Sequence, residues 1–176
     1  MKLYEIREAG PCREGWLKLL KSLGLSGPTY EQLEQEVTLQ YIYESNGIDD
    51  ALWCMDVERK LSLDKLQKFA AGLILLYENH EDLTSAQKTA MTVLRKFKES
   101  SEPVNLDKVA EACKEAEMCY SKSEDEDNTL NLDEAFEEMA ACLDFGDRQI
   151  VWAVYCALPT AHDKLHELFL TYIAED

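Results

Sequence analysis

The chain has 176 residues, 46% of them apolar, and 18 Lys/Arg against 35 Asp/Glu give a formal net charge of −17. That length fits one domain or two small ones, and the apolar share is enough for a packed core, which excludes global disorder. The longest apolar run, Phe69 to Tyr77, is nine residues, far short of the roughly 20 that a membrane-spanning helix needs. The opening residues, Met1 to Glu8, lack the apolar stretch of a signal peptide, so a cytoplasmic protein with no membrane association is expected. Six cysteines in that reducing compartment read as thiols rather than disulfides, and none forms a CxxC pair.

Apolar spacing is helical from end to end and predicts an all-α bundle of about nine short helices. Leu3 to Ile6 suits either a short strand or a turn of helix. Cys12 to Leu23 puts Trp16, Leu20 and Leu23 on one stripe, closed by Gly24. Thr29-x-x-Gln32 is a capping box. The helix it opens has Leu33, Val37 and Tyr41 on its inner face and runs on to Asn46-Gly47, where glycine adopts the left-handed conformation at little cost. A short helix from Asp49 to about Val57 carries Leu52 and Trp53. Ser62 caps the next, whose residues Leu66, Phe69, Ala70, Leu73, Ile74 and Tyr77 make it apolar around much of its circumference, the mark of a central helix. A second capping box, Thr84-x-x-Gln87, opens a helix with Met91, Leu94 and Phe97 inside. It ends in Arg95, Lys96 and Lys98, which suit the negative end of the macrodipole.

Ser100-Ser101-Glu102-Pro103 interrupts the pattern and suggests two helical subdomains, residues 1–101 and 102–176. In the second, Asn105 caps a helix with Val109, Cys113, Ala116 and Tyr120 inside, and residues 121–129 read as an exposed loop. Asn131-x-x-Glu134 is a third capping box, for a helix with Ala135, Phe136, Met139 and Leu143 inside. Gly146 ends it. Asp147 caps a helix with Ile150, Val151, Val154 and Tyr155, and Pro159 separates that from a last helix from Thr160 with Leu165, Leu168, Phe169 and Tyr172. Gly47 then Trp53, and Gly146 then Trp152, repeat one spacing after a helix. A duplicated helical hairpin would explain it, but coincidence is the plainer account, because such hairpins are common.

The charge is lopsided. Residues 1–100 carry −3 and residues 101–176 carry −14. Glu111 and Glu115 are i,i+4 neighbours, as are Glu134 and Glu138, with Glu137 beside them. Glu124, Asp125, Glu126 and Asp127 crowd the intervening loop. Such like-charge helical pairs destabilise by about 0.2–0.5 kcal/mol each. Four residues of helix span about 6 Å, close to the spacing of phosphates along a strand. A face of this kind repels nucleic acid itself. It attracts a basic protein, and its geometry suits a groove built for DNA or RNA. The plainer alternative is a solvated face that keeps the protein soluble.

Other chemistry is thinly represented. His162 and His166 stand at i,i+4, and Cys142 or Cys156 would complete a zinc site, but only two ligands are in fixed relation. Cys54 with His80, or Cys156 with His162, has the residue types of thiol catalysis without a flanking motif. Asp127, Thr129, Asn131, Asp133 and Glu138 fit a calcium-loop frame, yet its sixth position is Leu132 where glycine is required. No phosphate loop or nucleophile elbow is present. Neither a cofactor nor catalysis is expected.

The segment from Leu39 to Cys54, above all Asn46-Gly-x-Asp-Asp-Ala-Leu-Trp-Cys54, together with Met1 to Arg7 and Pro11 to Glu14, resembles small helical immunity-type proteins of phages and bacteria. The resemblance covers roughly the first 80 residues. It implies an all-helical fold, no catalysis and a protein-binding role. In a phage setting it implies counter-defence, where the acidic half is similar in composition to nucleic-acid-mimic anti-CRISPR proteins. The expected partner is then a basic nucleic-acid-binding protein such as a CRISPR effector. An immunity or scaffold protein that binds through an apolar patch of its first half, around Tyr30 or Tyr43, is the alternative. A zinc or thiol enzyme is the third reading.

Overall fold

A computed structural model describes residues 1–81, 83–102, 104–117, 132–146, 149–158 and 162–174. The fold is all-helical, with eleven helices among the described residues. They fall into two compact units, Met1–Ser62 with Ile173–Asp176, and Leu63–Tyr172. The division therefore comes between Ser62 and Leu63, not between residues 101 and 102. The interruption at Ser100–Glu102 is a turn inside the second unit, where Lys68 Nζ donates to Ser100 O at 2.9 Å. A break in helical periodicity marks the end of a helix. It does not mark the end of a core.

The first unit contains α1 (Leu3–Glu8), α2 (Arg13–Ser22), α3 (Tyr30–Leu33), α4 (Leu39–Asn46) and α5 (Ile48–Val57). Leu3 to Ile6 is helix, with Lys2 N–H donating to Glu5 Oε2 at 2.7 Å. The Thr29 capping box forms as read, but the helix it opens stops after four residues. The expected continuous helix to Asn46 is broken at Glu34–Thr38. Glu34 keeps a helical backbone as the cap of α3, and past it the chain pairs with the N-terminal segment: Leu3 N–H donates to Gln35 O at 3.0 Å and Val37 N–H to Met1 O at 2.9 Å. Val37 is buried through that pairing. Thr38 then caps α4 by accepting from Tyr41 N–H at 3.1 Å. Long-range pairing with residues 1–3 overrides an i,i+4 pattern that both conformations satisfy.

Gly47 has φ +106 and is the single residue between α4 and α5. Asn46 Nδ2 bridges Gly15 O at 2.8 Å and Asp50 Oδ2 at 2.6 Å, tying α2 to both helices. The core of this unit includes Leu3, Ile6, Leu20, Ile42, Leu52 and Met55.

The second unit contains α6 (Leu63–Leu75), α7 (Ser85–Glu99), α8 (Leu106–Glu117), α9 (Leu132–Phe145), α10 (Ile150–Ala157) and, as far as Tyr172, α11 (His162–Ala174). α6 is central, as its apolar circumference predicts: it packs on α7, α9 and α10, and its buried residues run unbroken from Phe69 to Ile74. Gly72 admits the Leu168 side chain of α11, which lies 3.3 Å from where a Cβ would stand. The Phe69 and Tyr172 rings meet edge to face at 4.9 Å. The Thr84 capping box forms, and Asn105 Oδ1 accepts from Asp107 N–H at 3.0 Å to cap α8. Gly146, φ +63, follows α9. Residues 146–149 separate α9 from α10 whereas one residue separates α4 from α5, so the two Gly-to-Trp spacings belong to different connections. Tyr120, Asn131, Asp147, Pro159 and Thr160 lie outside the described residues.

Candidate functional site

α8 and α9 pack against each other, and each is amphipathic for a simple reason. α8 buries Val109, Ala110, Cys113 and Ala116, which leaves Glu111 and Glu115 on the opposite, exposed side. α9 buries Leu132, Ala135, Phe136, Met139, Ala140, Cys142 and Leu143. Glu134 and Glu137 are exposed and Glu138 is half-buried. From Asp133 to Asp144, α9 carries five carboxylates and no Lys or Arg. Five of the nine predicted site residues thus lie on two neighbouring helices. Glu124, Asp125, Glu126 and Asp127 lie outside the described residues.

Two contacts fix this acidic pair of helices. Lys114 of α8 is ion-paired with Asp144 of α9. Its ammonium is held above the ordinary lysine value by that bond first; burial opposes the shift, and the charges of Asp144, Asp107 and Glu111 add to it. At the other end of α9, Asp133 Oδ1 accepts from Gln87 Nε2 of α7 at 2.8 Å. Burial pushes the Asp133 carboxyl up, and the Gln87 bond only partly counters it.

Sequence reasoning missed Phe145. It is 86% exposed, the most exposed phenylalanine among the described residues. At 100° per residue it lies within about 20° of both Glu134 and Glu138 around α9, some 16 Å along the axis from the first. The outward stripe therefore runs from carboxylates to an unburied aromatic ring. Periodicity gave no warning, because a phenylalanine at a helix end next to Gly146 reads equally well as a core residue or as a cap contact.

The thiol and metal alternatives acquire little geometry. Burial first, then the Asp50 charge, pushes the Cys54 thiol up to about 12, with Glu58 adding to the shift and the N-terminal ammonium opposing it. Burial does the same to Cys113, also to about 12. Both are the reverse of an activated thiolate. Among the described residues no group of three His, Cys, Asp or Glu side chains converges as a metal site. The side chain of His162 lies outside that description, so the His162/His166 pair is described only in its second member, which is half-buried. Cys12, Cys54, Cys113, Cys142 and Cys156 form no disulfide. No helix among the described residues is long and apolar enough to cross a membrane. Compared with known proteins, the chain matches no family model, no curated protein and no solved structure.

Proposed function

We propose that this chain is a non-enzymatic, protein-binding inhibitor that uses the acidic face of α8 and α9 to occupy the nucleic-acid-binding surface of a basic partner. The observation that carries the reading is the group Glu134, Glu137 and Glu138 on the outward side of α9, a helix that contains no Lys or Arg and buries its other side, with Asp144 at its end ion-paired to Lys114 of α8. Carboxylates at helical spacing present negative charge at intervals similar to those of phosphates. A Lys/Arg-lined groove attracts such a face over long range, and the association weakens with salt. Phe145 adds what pure charge lacks, an aromatic anchor at one end of the stripe that would seat in a pocket of the partner.

The partner class is a nucleic-acid-binding machine, and the resemblance of the first half to phage and bacterial immunity-type proteins favours a CRISPR effector or a restriction enzyme met in the bacterial cytoplasm. Charge reversal of Glu134, Glu137 and Glu138 to Lys tests the reading. Binding that survives the triple change undiminished rejects the electrostatic mechanism.

A second reading draws on Tyr30, 90% exposed at the start of α3, and on Leu17, 52% exposed on α2. Apolar side chains so open in the first unit suit an immunity or scaffold protein. In that case binding would persist at high salt and be lost on truncating Tyr30.

A further inference from the structure

The first unit holds a cleft of about 440 Å³ lined by the extended residues Glu36–Thr38, by Leu39 at the start of α4, and by Glu58, Lys60 and Leu61. That volume is in the range of clefts that take a ligand or a peptide side chain. Its wall has an open hydrogen-bonding edge. Lys2 and Glu36 are an antiparallel bridge. The flanking bonds, Leu3 N–H to Gln35 O and Val37 N–H to Met1 O, make it the non-hydrogen-bonded kind. In that arrangement the N–H and C=O of Glu36 turn away from residues 1–3. Neither group meets a partner among the described residues. Thr38, two residues on and also extended, presents its N–H on the same edge by strand alternation. An unpaired strand edge is a template for another strand.

The surroundings select what can add there. From Thr29 to Asn46 the chain carries Glu31, Glu34, Glu36 and Glu44 and no Lys, Arg or His; Glu34 is already paired with Lys2 at 2.7 Å, and Glu36 is the one of the four that lines the cleft. The Glu36 side chain is 67% exposed, and Lys60 approaches it only at 3.9 Å. Val37 and Leu61 supply buried apolar surface at the cleft. We propose that this cleft docks an extended peptide segment of a partner protein. The segment pairs as a third strand with Glu36 and Thr38, sets one apolar side chain into the cleft, and carries Lys or Arg beside it to meet Glu36. Backbone pairing supplies affinity in this mode, and the pocket and charges supply selectivity. The proposal does not rest on the acidic face of α8 and α9.

The test is an NMR titration of the isotope-labelled full-length protein with three capped peptides. One alternates valine and lysine, the second is the same peptide N-methylated along one backbone edge, and the third alternates valine and glutamate. The first is expected to shift the amide signals of Glu36, Thr38 and Lys60 and to slow hydrogen exchange at Glu36 and Thr38. N-methylation, which deletes the paired donors, is expected to weaken binding roughly tenfold or more. Glu36→Lys, at a side chain open to solvent, is expected to weaken it several-fold, whereas the Glu134/Glu137/Glu138 triple change leaves it unaltered. The proposal is overturned if no signal in residues 36–38 or 58–61 moves with valine, leucine or phenylalanine versions at millimolar peptide. It is equally overturned if the N-methylated or the glutamate peptide binds as well as the first.

Discussion

Gln87 and Asp133 are joined across the second unit, Nε2 to Oδ1 at 2.8 Å, while the same glutamine closes the capping box of α7 by accepting from Thr84 N–H at 2.9 Å through Oε1. One buried side chain therefore fixes the start of α7 and the start of α9 together. Asp133 is charged at a cost, since burial raises its carboxyl above the ordinary aspartate value. The sign follows from linkage. The folded state binds the proton more tightly than the unfolded state, so this group favours folding as pH falls through its raised folded value and disfavours it at neutral pH. Asp133→Asn keeps the acceptor for Gln87 and removes the charge. It should raise the melting temperature at pH 7 by about a degree or two and flatten the acid side of the stability profile. Asp133→Ala should instead cost about 1–3 kcal/mol, because Gln87 Nε2 is left buried without its acceptor. Thermal melts between pH 3 and 7 check both.

Glu58 behaves in the opposite sense. Burial pushes its carboxyl up, but the bond from the Met1 ammonium at 2.7 Å, the Lys60 amide and the Lys60 charge together hold it below the usual glutamate value. Its contribution to stability is therefore present above the unfolded value of about 4.3 and is lost as pH falls through the lower folded one. Glu58→Gln should remove that acid-side loss. Glu58→Ala should destabilise the first unit by roughly 1–3 kcal/mol, since a buried ammonium loses its counter-charge. Chemical denaturation at pH 7 and pH 4 separates the two variants.

Gly15 is required by a neighbour rather than by its own backbone. A Cβ there would come within 2.6 Å of Asp50 Oδ2, and Asn46 Nδ2 holds that oxygen at 2.6 Å. Alanine is the better helix former by close to 1 kcal/mol, yet Gly15→Ala should destabilise by about 1–3 kcal/mol through overpacking. In the Asp50→Ala background the same change should become neutral or favourable. A double-mutant cycle by urea denaturation reads the coupling directly.

How much of this was legible follows from what each signal depends on. The Thr29 and Thr84 capping boxes, the Asn46-Gly47 stop and the buried face of α6 are local, and all form as the residues dictate. The broken helix at Glu34–Thr38 depends on residues 1–3, more than thirty positions away. Only the β-branched pair Val37-Thr38, ahead of a new helical stripe, hinted at it. The boundary at Ser62 was hidden because α6 begins there with no change of composition, while the conspicuous Ser100–Pro103 segment joins α7 to α8, which pack together. The charges at Glu111, Glu115, Glu134, Glu137 and Glu138 could be assigned to helices from spacing. The exposure of Phe145 could not, since it depends on what the end of α9 packs against.

Phe145 offers a test that charge reversal does not. If the ring anchors a partner, Phe145→Ala should lower affinity by about tenfold or more while leaving the salt dependence of binding intact. Its effect on the unfolding free energy should be small, because the side chain is 86% exposed. Binding isotherms at two ionic strengths, beside a denaturation curve, distinguish an anchor from a bystander.

The most direct test of the acidic-face mechanism is a pull-down with the tagged full-length protein and its Glu134/Glu137/Glu138→Lys variant from a bacterial lysate rich in nucleic-acid-binding complexes, washed at low and at high salt. The account predicts that the unaltered protein captures a basic nucleic-acid-binding complex at low salt, releases it at high salt and blocks its nucleic-acid binding while bound, and that the variant captures little of it. Capture by both proteins alike, surviving high salt, would contradict the account and assign the interaction to apolar surface instead.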